Sequence, residues 1–450
     1  MARGKKTISS KMTILSKENQ PFPVPENWFW TDIDSINQYS GVSIDPMKQP
    51  DTTFELYSVP SSADDYPKII TGSEIGSTKQ SVTKNDVLLC KINPRINRVW
   101  KVSQHTDNEL MASSEWIIIR NSVINSDYLM FCFRTQYFRE FMLSNVSGVG
   151  GSLMRAQPKF VKKYPIPIAP IAEQQRIVDR IESWFSKLDE AKEKAQAVVD
   201  GFELRKSAIL HKAFTGALTE QWRKEHGVGL DSWATVELID VLTEKPRNGY
   251  SPKPVNYVTP YKSMTLSATT SGVFKDEHFK YIDETIPEDS YLWLKPGDIL
   301  IQRANSLDKV GTSAIYTGRE HEFIYPDLMM KLQVVETVFP QFVAYSLKRD
   351  DTLAYFRANA TGTAGNMPKI NQKVVSKTPL NLPTFDEQIE IVRILESLFG
   401  KAQQAKEAAE AVLAQIDTMK KAILARAFRG ELGTNDPEEE SAGEILKEIS

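Results

Sequence analysis

Two stretches of the chain carry apolar residues at alternating spacings of three and four positions, the seam pattern of a coiled coil. The first seam is Ile181, Trp184, Leu188, Ala191, Ala195, Val198, Phe202 and Ile209, interrupted by Arg205. The second is Leu395, Leu398, Ala402, Ala405, Ala409, Val412, Ile416, Met419 and Ile423. Each stretch therefore predicts a long helix, and the central alanines allow two helix backbones to approach closely.

The residues around both stretches predict where the helices begin and end. Pro165, Pro167 and Pro170 precede the first helix, and Pro379 and Pro383 precede the second. Thr384 and Glu387 have the spacing of a capping box. Gly216 and Gly430 stand where the helices are expected to stop.

The two helical stretches are copies of each other. Residues 173–218 align with 387–432 without a gap, and 22 of the 46 positions are identical. The longer blocks before each copy match more faintly, for example Trp28 with Trp233 and Asp86-Val87-Leu88-Leu89 with Asp298-Ile299-Leu300-Ile301. The order block, helix, block, helix indicates an internal duplication with pseudo-two-fold symmetry.

Matched seams predict that the two helices pair with each other as an antiparallel coiled coil. The 29 residues from Ile181 to Ile209 would span about 43 Å at 1.5 Å per residue. That length is close to one turn of B-DNA, roughly 34–36 Å. The alternative is that each helix is amphipathic and packs only on its own domain.

The two blocks predict mixed α/β domains of about 150 residues each. Short apolar runs at Val87–Leu89, Trp116–Ile119 and Asp298–Ile301 favour buried strands, whereas Asp127–Ser144 and Pro340–Asn359 favour helices. The predicted division is a basic tail (1–23), a first domain (24–170), a central helix (171–222), a second domain (223–383), a second helix (384–432) and an acidic tail (433–450).

Composition narrows the class of protein. Apolar residues make up 41% and charged residues 25%, as in globular chains. Two cysteines exclude a disulfide framework or thiolate zinc cluster, and the N-terminus has no apolar run resembling a leader. We therefore expect a cytoplasmic protein with no membrane association. The net charge of −3 neither supports nor excludes a nucleic-acid partner, because DNA contact depends on local patches.

Sequence motifs of catalysis are missing. The chain has no Gly-x-x-x-x-Gly-Lys-Ser/Thr loop, no Asp/Asn-Pro-Pro-aromatic motif and no Pro-Asp followed closely by Glu-x-Lys. The five histidines are scattered without metal-ligand spacing. We therefore predict no catalytic residues and no metal ligands in this chain.

Basic residues cluster after one predicted strand in each block. Cationic side chains neutralise phosphates, and Arg and Asn pair with guanine and adenine edges. The candidate DNA-binding residues of these clusters are Lys91, Asn93, Arg95, Arg98, Lys101, Arg303, Asn305 and Lys309. An offset of 212 places Lys91 over Arg303 and Asn93 over Asn305. The alternative is an ordinary polar surface loop, but its recurrence in both blocks favours DNA contact.

A glycine-rich loop with cations after it also recurs. Gly148, Gly150 and Gly151 precede the first set, and Gly362 and Gly365 precede the second. Amides in such loops can approach phosphates, although plain turns are as good an interpretation. The candidate DNA-binding residues here are Arg155, Lys159, Lys369 and Lys373.

The segment PIPIAPIAEQQRIV at residues 165–178, followed by a long helix and repeated in variant form from Pro379, resembles the specificity subunits of type I restriction-modification systems. The block-helix order over residues 24–432 matches that family along nearly the whole chain. The second copy departs from the motif, since TFDEQI at residues 384–389 replaces the proline-rich start and the second glutamine.

The resemblance implies two target-recognition domains, each reading half of a split, asymmetric site in double-stranded DNA. The helices would set the gap and dock two modification (methyltransferase) subunits, to which restriction subunits bind. The chain itself would be non-catalytic and without a cofactor, whereas its partners would use S-adenosylmethionine, ATP and Mg²⁺. Two other hypotheses stay open: a coiled-coil scaffold whose domains bind protein, and a divergent single-chain nuclease or methyltransferase.

Overall fold

A computed structural model describes residues 13–148, 154–362 and 367–445. The fold is mixed α/β with long helices. The chain forms two compact units: unit 1 comprises residues 1–195 and 411–450, and unit 2 comprises residues 196–410. The division into six segments predicted from the sequence is finer than these two units, and it stays a prediction.

Unit 1 contains twelve of the described strands. They are β1 (Phe29–Asp32), β2 (Ser43–Ile44), β3 (Thr53–Tyr57), β4 (Lys68–Thr71), β5 (Lys79–Ser81), β6 (Val87–Cys90), β7 (Val99–Lys101), β8 (Glu109–Ala112), β9 (Trp116–Ile119), β10 (Val146–Ser147), β11 (Arg155–Ala156) and β12 (Pro165–Ile168). The main sheets have the orders β2-β5-β8-β3-β4 and β7-β6-β9. The predicted strands at Val87–Leu89 and Trp116–Ile119 are confirmed, and both lie in the second sheet.

Among the described residues of unit 1, five α-helices begin: α1 (Ile33–Ile36), α2 (Ser126–Phe133), α3 (Gln136–Ser144), α4 (Pro158–Val161) and α5 (Ile171–Asp200). Aromatic residues of α2 and α3, including Tyr128 and Phe138, are buried together with Trp28 in the core of this unit. Phe428 from the C-terminal part of the chain packs on Tyr128, with ring centroids 5.0 Å apart. The core of unit 1 thus draws on both ends of the chain.

Unit 2 holds the remaining described strands: β13 (Ala234–Glu237), β14 (Arg247–Asn248), β15 (Pro254–Val255), β16 (Tyr261–Met264), β17 (Phe279–Ile282), β18 (Ile299–Gln302), β19 (Ser313–Ile315), β20 (Met329–Leu332) and β21 (Pro379–Leu382). Their main sheets have the orders β14-β20-β18-β19 and β15-β17-β16. The helices are α6 (Phe202–Phe214), α7 (Glu220–His226), α8 (Pro340–Ser346), α9 (Asp350–Ala358), α10 (Gln372–Ser376) and α11 (Phe385–Ala427), of which α11 continues into unit 1. The predicted strand at Asp298–Ile301 is confirmed as β18.

A two-stranded antiparallel ribbon carries the chain into and out of the α/β part of each unit. In unit 1, β1 pairs with β12 so that Phe29 lies opposite Ile168. In unit 2, β13 pairs with β21 so that Ala234 lies opposite Leu382. Both ribbons lead directly into a long helix, and the prolines predicted to precede the helices belong to these ribbons and the turns after them.

Helix pairing within unit 1 is antiparallel. Lys420 of α11 lies 2.5 Å from the carboxylate of Asp189 on α5, and its ammonium lies 5.0 Å from the ring of Phe185. Arg180, earlier on α5, donates to the carbonyl of Leu432, later in the chain, at 3.1 Å. Residues earlier in α5 therefore contact residues later in the C-terminal segment, which is the order of antiparallel packing.

Helix pairing within unit 2 follows the same rule. Lys406 of α11 lies over the ring of Phe202 at 4.8 Å, and Lys206 lies over Phe399 at 6.0 Å. At the start of α11, Glu387 bonds Arg223 at 2.7 Å. The contact of Lys206 with Phe399 repeats that of Lys420 with Phe185, since both pairs are related by the offset of 214.

The predicted helices and seams need three corrections. The first helix breaks at Gly201, between α5 and α6, and the guanidinium of exposed Arg205 turns back to the carbonyl of Val198. Three residues predicted in the seam are exposed, namely Val412 (42%), Met419 (45%) and Ala405, while Leu413 beside Val412 is half-buried. Glu387 forms no capping box with Thr384, because its carboxylate bonds Thr219, Arg223 and Trp233.

The other predicted seam residues lie on the inward faces of the helices. Ile181, Phe202, Leu395 and Ile416 are buried. The half-buried members are Leu188, Val198, Ile209, Leu398 and Ile423.

Residues predicted to lie in the charged tails pack on unit 1. Leu15 donates to the carbonyl of Trp30 in β1 at 2.9 Å. Thr434 donates to the buried carboxylate of Glu173 at 2.7 Å, and Glu439 pairs with Arg176 at 2.5 Å. Thus the parts of both tails within the described ranges belong to a packed unit. No helix in the described part of the chain is long and apolar enough to cross a membrane.

Candidate nucleic-acid interface

The basic segment of unit 1 is a tight loop at the end of β6. Asn93 and Asn97 adopt left-handed backbone conformations, with φ of 47° and 52°, on either side of a single 3₁₀ turn at Pro94–Ile96. Asparagine tolerates this region better than other non-glycine residues, which explains its presence at both positions. The turn leaves Arg95 exposed and Arg98 half-buried.

Two backbone hydrogen bonds tie this loop to the segment that follows the glycine-rich loop. The amide of Ala156 donates to the carbonyl of Lys91 at 2.8 Å, and the amide of Asn93 donates to the carbonyl of Met154 at 2.8 Å. The bonds bring together two basic segments that are about 60 residues apart in the sequence. A β-turn joins residues only three positions apart, so this contact depends on the tertiary fold.

Unit 2 repeats this connection. The amide of Ile370 donates to the carbonyl of Arg303 at 2.8 Å, and the amide of Asn305 donates to the carbonyl of Pro368 at 3.3 Å. The offset of 212 that aligned the basic segments therefore aligns structurally matching positions. Gly150, Gly151 and Gly365 lie outside the described residues, whereas Gly148 and Gly362 have positive φ of 93° and 83°.

The first cation of each loop is oriented by a carbonyl of a neighbouring loop. Lys91 Nζ lies 2.6 Å from the carbonyl oxygen of Ser114, and Arg303 Nη1 lies 3.3 Å from that of Asp327. Arg303 Nε is buried and has no hydrogen-bond partner. A buried donor without a partner is unfavourable in the free protein and is relieved when a ligand supplies an acceptor.

Five of the predicted DNA-binding cations are exposed, namely Arg95, Lys159, Lys309, Lys369 and Lys373. The ammonium of Lys159 lies 4.8 Å from the ring of Phe160, and that of Lys309 lies 3.8 Å from Asp308. Both contacts are at the surface and weak, so these side chains are free to reorient toward a polyanion.

Three other predicted residues already have partners. Lys101 pairs with Asp127 of α2 at 2.5 Å, and Arg155 pairs more loosely with Glu115 at 3.3 Å. The amide of Asn305 is used at both ends: its Nδ2 donates to Gln302 at 2.6 Å, and its Oδ1 accepts from the amide of Ser306 at 2.7 Å. The structure thus gives Lys101 and Asn305 roles in shaping the fold, and DNA contact by any of the residues named stays a prediction.

Sequence reasoning missed polar side chains that the fold brings beside the unit 2 loop. Ser251 donates to Asp327 at 2.5 Å, and Asp327 is the residue whose carbonyl receives Arg303. Tyr250, next to Ser251, is 41% exposed. No local motif marks these residues, since strands β14, β18 and β20 must pair before they meet.

The duplicated Glu-Gln dipeptide anchors each long helix to its unit. Gln174 accepts from the amide of Asn125 at 2.9 Å and donates to Ala169 at 2.8 Å. Gln388 does the same with Phe339 at 2.8 Å and Pro383 at 2.9 Å. These equivalent bonds explain why the dipeptide is present in both copies.

The glutamates of this dipeptide are both fully buried. Burial raises the pKa of Glu173, against the opposing effects of Thr434 and Arg176. Among the described residues, no group of three or more His, Cys, Asp or Glu side chains is placed to hold a metal ion.

Comparison with known proteins gives a consistent result. The family model described as "Type I restriction modification DNA specificity domain" matches residues 231–412. The specificity subunit of the type I restriction enzyme EcoKI from Escherichia coli K12 is 25% identical over 360 residues, which cover 78% of this chain and 76% of that protein. The StySPI specificity subunit from Salmonella potsdam is 24% identical over 321 residues, covering 69% and 66%.

A solved structure shares the fold. The crystal structure of the HsdS subunit from Thermoanaerobacter tengcongensis superposes with a TM-score of 0.67 at 20% identity, covering 92% of this chain and 99% of that one. The family model and the curated relatives all concern type I restriction specificity subunits, and the solved HsdS structure shares the fold. The comparisons support a specificity subunit of a type I restriction-modification system: residues 231–412 match the family's DNA specificity domain, and most of the chain is similar to curated specificity subunits.

Proposed function

We propose that this specificity subunit reads a bipartite, asymmetric site in double-stranded DNA, with one unit for each half of the site. The observation that carries the proposal is the matched pair of loops. In each unit a basic loop is joined to the segment after the glycine-rich loop by two equivalent backbone hydrogen bonds. The two loops differ in sequence, which favours recognition of two different half-sites.

Side chains at these loops suit recognition in the major groove. Arginine pairs with guanine O6 and N7, and lysine and arginine also neutralise phosphates. Arg303 offers an unpartnered guanidinium Nε, while Arg95 is exposed at the tip of the unit 1 turn. Charge-assisted bonds from such donors contribute both affinity and base preference.

The long helices would act as a spacer and as a dock. The antiparallel contacts within each unit support an antiparallel coiled coil, since Lys420 meets Phe185 as Lys206 meets Phe399. Exposed apolar side chains remain on the helices, with Leu204 76% and Met419 45% exposed. Such residues suit burial against helices of two modification subunits, which restriction subunits would then join.

Catalysis would belong to the partners. The sequence lacks the Asp/Asn-Pro-Pro-aromatic loop by which an amino-methyltransferase holds its target base. It also lacks the Gly-x-x-x-x-Gly-Lys-Ser/Thr loop that binds nucleotide phosphates. We infer that this chain binds no cofactor of its own, and that S-adenosylmethionine, ATP and Mg²⁺ serve the modification and restriction subunits.

The proposal is tested by co-expressing the chain with a candidate modification subunit in cells that lack DNA methylation. Modified adenines are then mapped by single-molecule sequencing. We expect methylation at one gapped, two-part motif that disappears when either chain is omitted. Methylation that does not depend on this chain would contradict the proposal and favour a protein-binding scaffold.

A further inference from the structure

Four cationic side chains line one cavity of unit 1, and no carboxylate lines it with them. The cavity has a volume of about 360 Å³ and lies between the 3₁₀ turn of the basic loop, α3 and α11. Its cations are Arg98, Arg134, Arg139 and Lys421. Asp65 and Asp127 influence Arg134 electrostatically but do not line the cavity.

Such a group of like charges is unfavourable unless an anion joins it. Positive charges that line one cavity repel each other, and an anion bound among them relieves this repulsion. The cations are held in place by contacts that leave their charge uncompensated. Arg134 Nη2 donates to the carbonyl of Val99 at 3.0 Å, and Arg139 Nη2 donates to the carbonyl of Arg95.

Arg139 supplies a second observation that points to an anion. Its Nε is buried and has no hydrogen-bond partner. Because its Nη2 bonds the backbone of Arg95, this side chain also couples the cavity to the exposed tip of the predicted reading loop. An anion in the cavity would therefore bind next to a DNA strand that Arg95 contacts.

The corresponding cavity of unit 2 has a different charge pattern. Helices α3 and α9 begin 214 residues apart, and this offset places Leu353 at the position of Arg139 and Ser207 at that of Lys421. The cavity there has a volume of about 930 Å³. Three lysines and three carboxylates line it: Lys206, Lys309, Lys348, Glu203, Asp308 and Asp350. The uncompensated positive charge is thus a property of the unit 1 cavity and not of the shared architecture.

We propose that the unit 1 cavity binds a phosphate group of the DNA backbone, beside the half-site read by the Lys91–Arg98 loop. The inference rests on the proposed function, because it takes DNA as the source of the phosphate. Phosphate contacts fix the position of a protein on the duplex without reading sequence. Unit 1 would therefore hold its half-site more through the backbone than unit 2 does.

The test is the salt dependence of DNA binding by the complex with the modification subunit. Arg139→Gln with Lys421→Gln should reduce the magnitude of the slope of log affinity against log salt by about one, equally for cognate and unrelated duplexes. Lys48→Gln, an exposed lysine of unit 1 outside the basic loops and the long helices, is the matched control and should leave the slope unchanged. Arg139→Lys with Lys421→Arg keeps the charge and should keep the slope, which separates loss of charge from loss of folding.

Methylphosphonate substitution of single phosphates completes the test. Substitution of one particular phosphate should weaken DNA binding by the wild-type complex. The same substitution should not weaken DNA binding by the Arg139→Gln, Lys421→Gln variant any further. An unchanged slope in the variant, or a loss confined to the cognate sequence, would overturn the proposal. So would a thermal shift by inorganic phosphate that the variant loses while its DNA binding is intact, since the ligand would then be a free phosphate. Failure of the proposed function would look different, because the wild-type complex would then show no preference for any duplex.

Discussion

Replacement of Arg303 should weaken recognition of one half-site and leave the other unaffected. Its Nη1 is held at 3.3 Å by the carbonyl of Asp327, and its buried Nε has no partner. One hydrogen bond thus orients the guanidinium, while its Nε can still donate. Arg303 makes no ion pair with another described residue, so its loss is not expected to unfold the loop. The bonds of the loop from Ile370 to Arg303 and from Asn305 to Pro368 join backbone atoms, so we expect them to persist in Arg303→Ala.

The magnitude follows from the loss of a base contact. A guanidinium that pairs with a guanine edge contributes about 1–3 kcal/mol of discrimination, which corresponds to roughly 5- to 150-fold in affinity. Arg303→Lys should recover phosphate attraction but not the paired geometry. Lys280→Ala removes an exposed cation elsewhere in unit 2 and serves as the control.

The assay is competition binding of the complex with the modification subunit. The competitors are duplexes that each carry one altered base pair of the bipartite site. For Arg303→Ala, the substitution at one base pair of one half-site should lose most of its effect, while substitutions in the other half-site keep theirs. Equal loss across both halves would refute the assignment of one reading loop to each half-site, and so would an effect no larger than that of Lys280→Ala.

Three further predictions concern the scaffold. Glu387→Ala should lower the free energy of unfolding, measured by denaturant titration, by roughly 3–5 kcal/mol, since it leaves buried Arg223 without its counter-charge. The control Glu390→Ala, three residues later in α11 and less buried, should lower it by under about 1 kcal/mol. Lys101→Ala should reduce stability through loss of the Asp127 pair and change the salt slope of DNA binding little; a fall of about one in that slope would instead make Lys101 a phosphate contact. Inserting seven residues into α11 should alter the spacer tolerated between half-sites, and an unchanged spacer on methylation mapping would contradict the role of the helices as a spacer.

The long helices were readable from the sequence because their periodicity and duplication are local properties of the chain. The inward positions of Ile181, Leu395 and Ile416 follow directly from that pattern. The prediction that Val412 faces inward was wrong. In this alanine-rich stretch, spacings of three and four can place either Val412 or the adjacent Leu413 in the seam. The larger aliphatic side chain is the less exposed of the two, which only packing could decide.

The candidate site was readable in part. Charge and recurrence marked the two basic loops, but hydrogen bonds between distant segments determined which residues are free. Lys101 already pairs with Asp127, 26 residues away, and the side-chain amide of Asn305 donates to Gln302. Ser251 and Asp327 carried no signal, because their proximity depends on the pairing of three strands.

The central claim, one unit for each half-site, is tested most directly by exchanging a reading domain. Residues 234–382 begin and end at the paired positions Ala234 and Leu382, so the corresponding segment of another specificity subunit can be joined there without displacing α11. Methylated motifs are then mapped in cells containing the modification subunit. We predict a motif that keeps one original half and the original spacer and gains one new half. A motif changed in both halves, or in neither, would contradict the account.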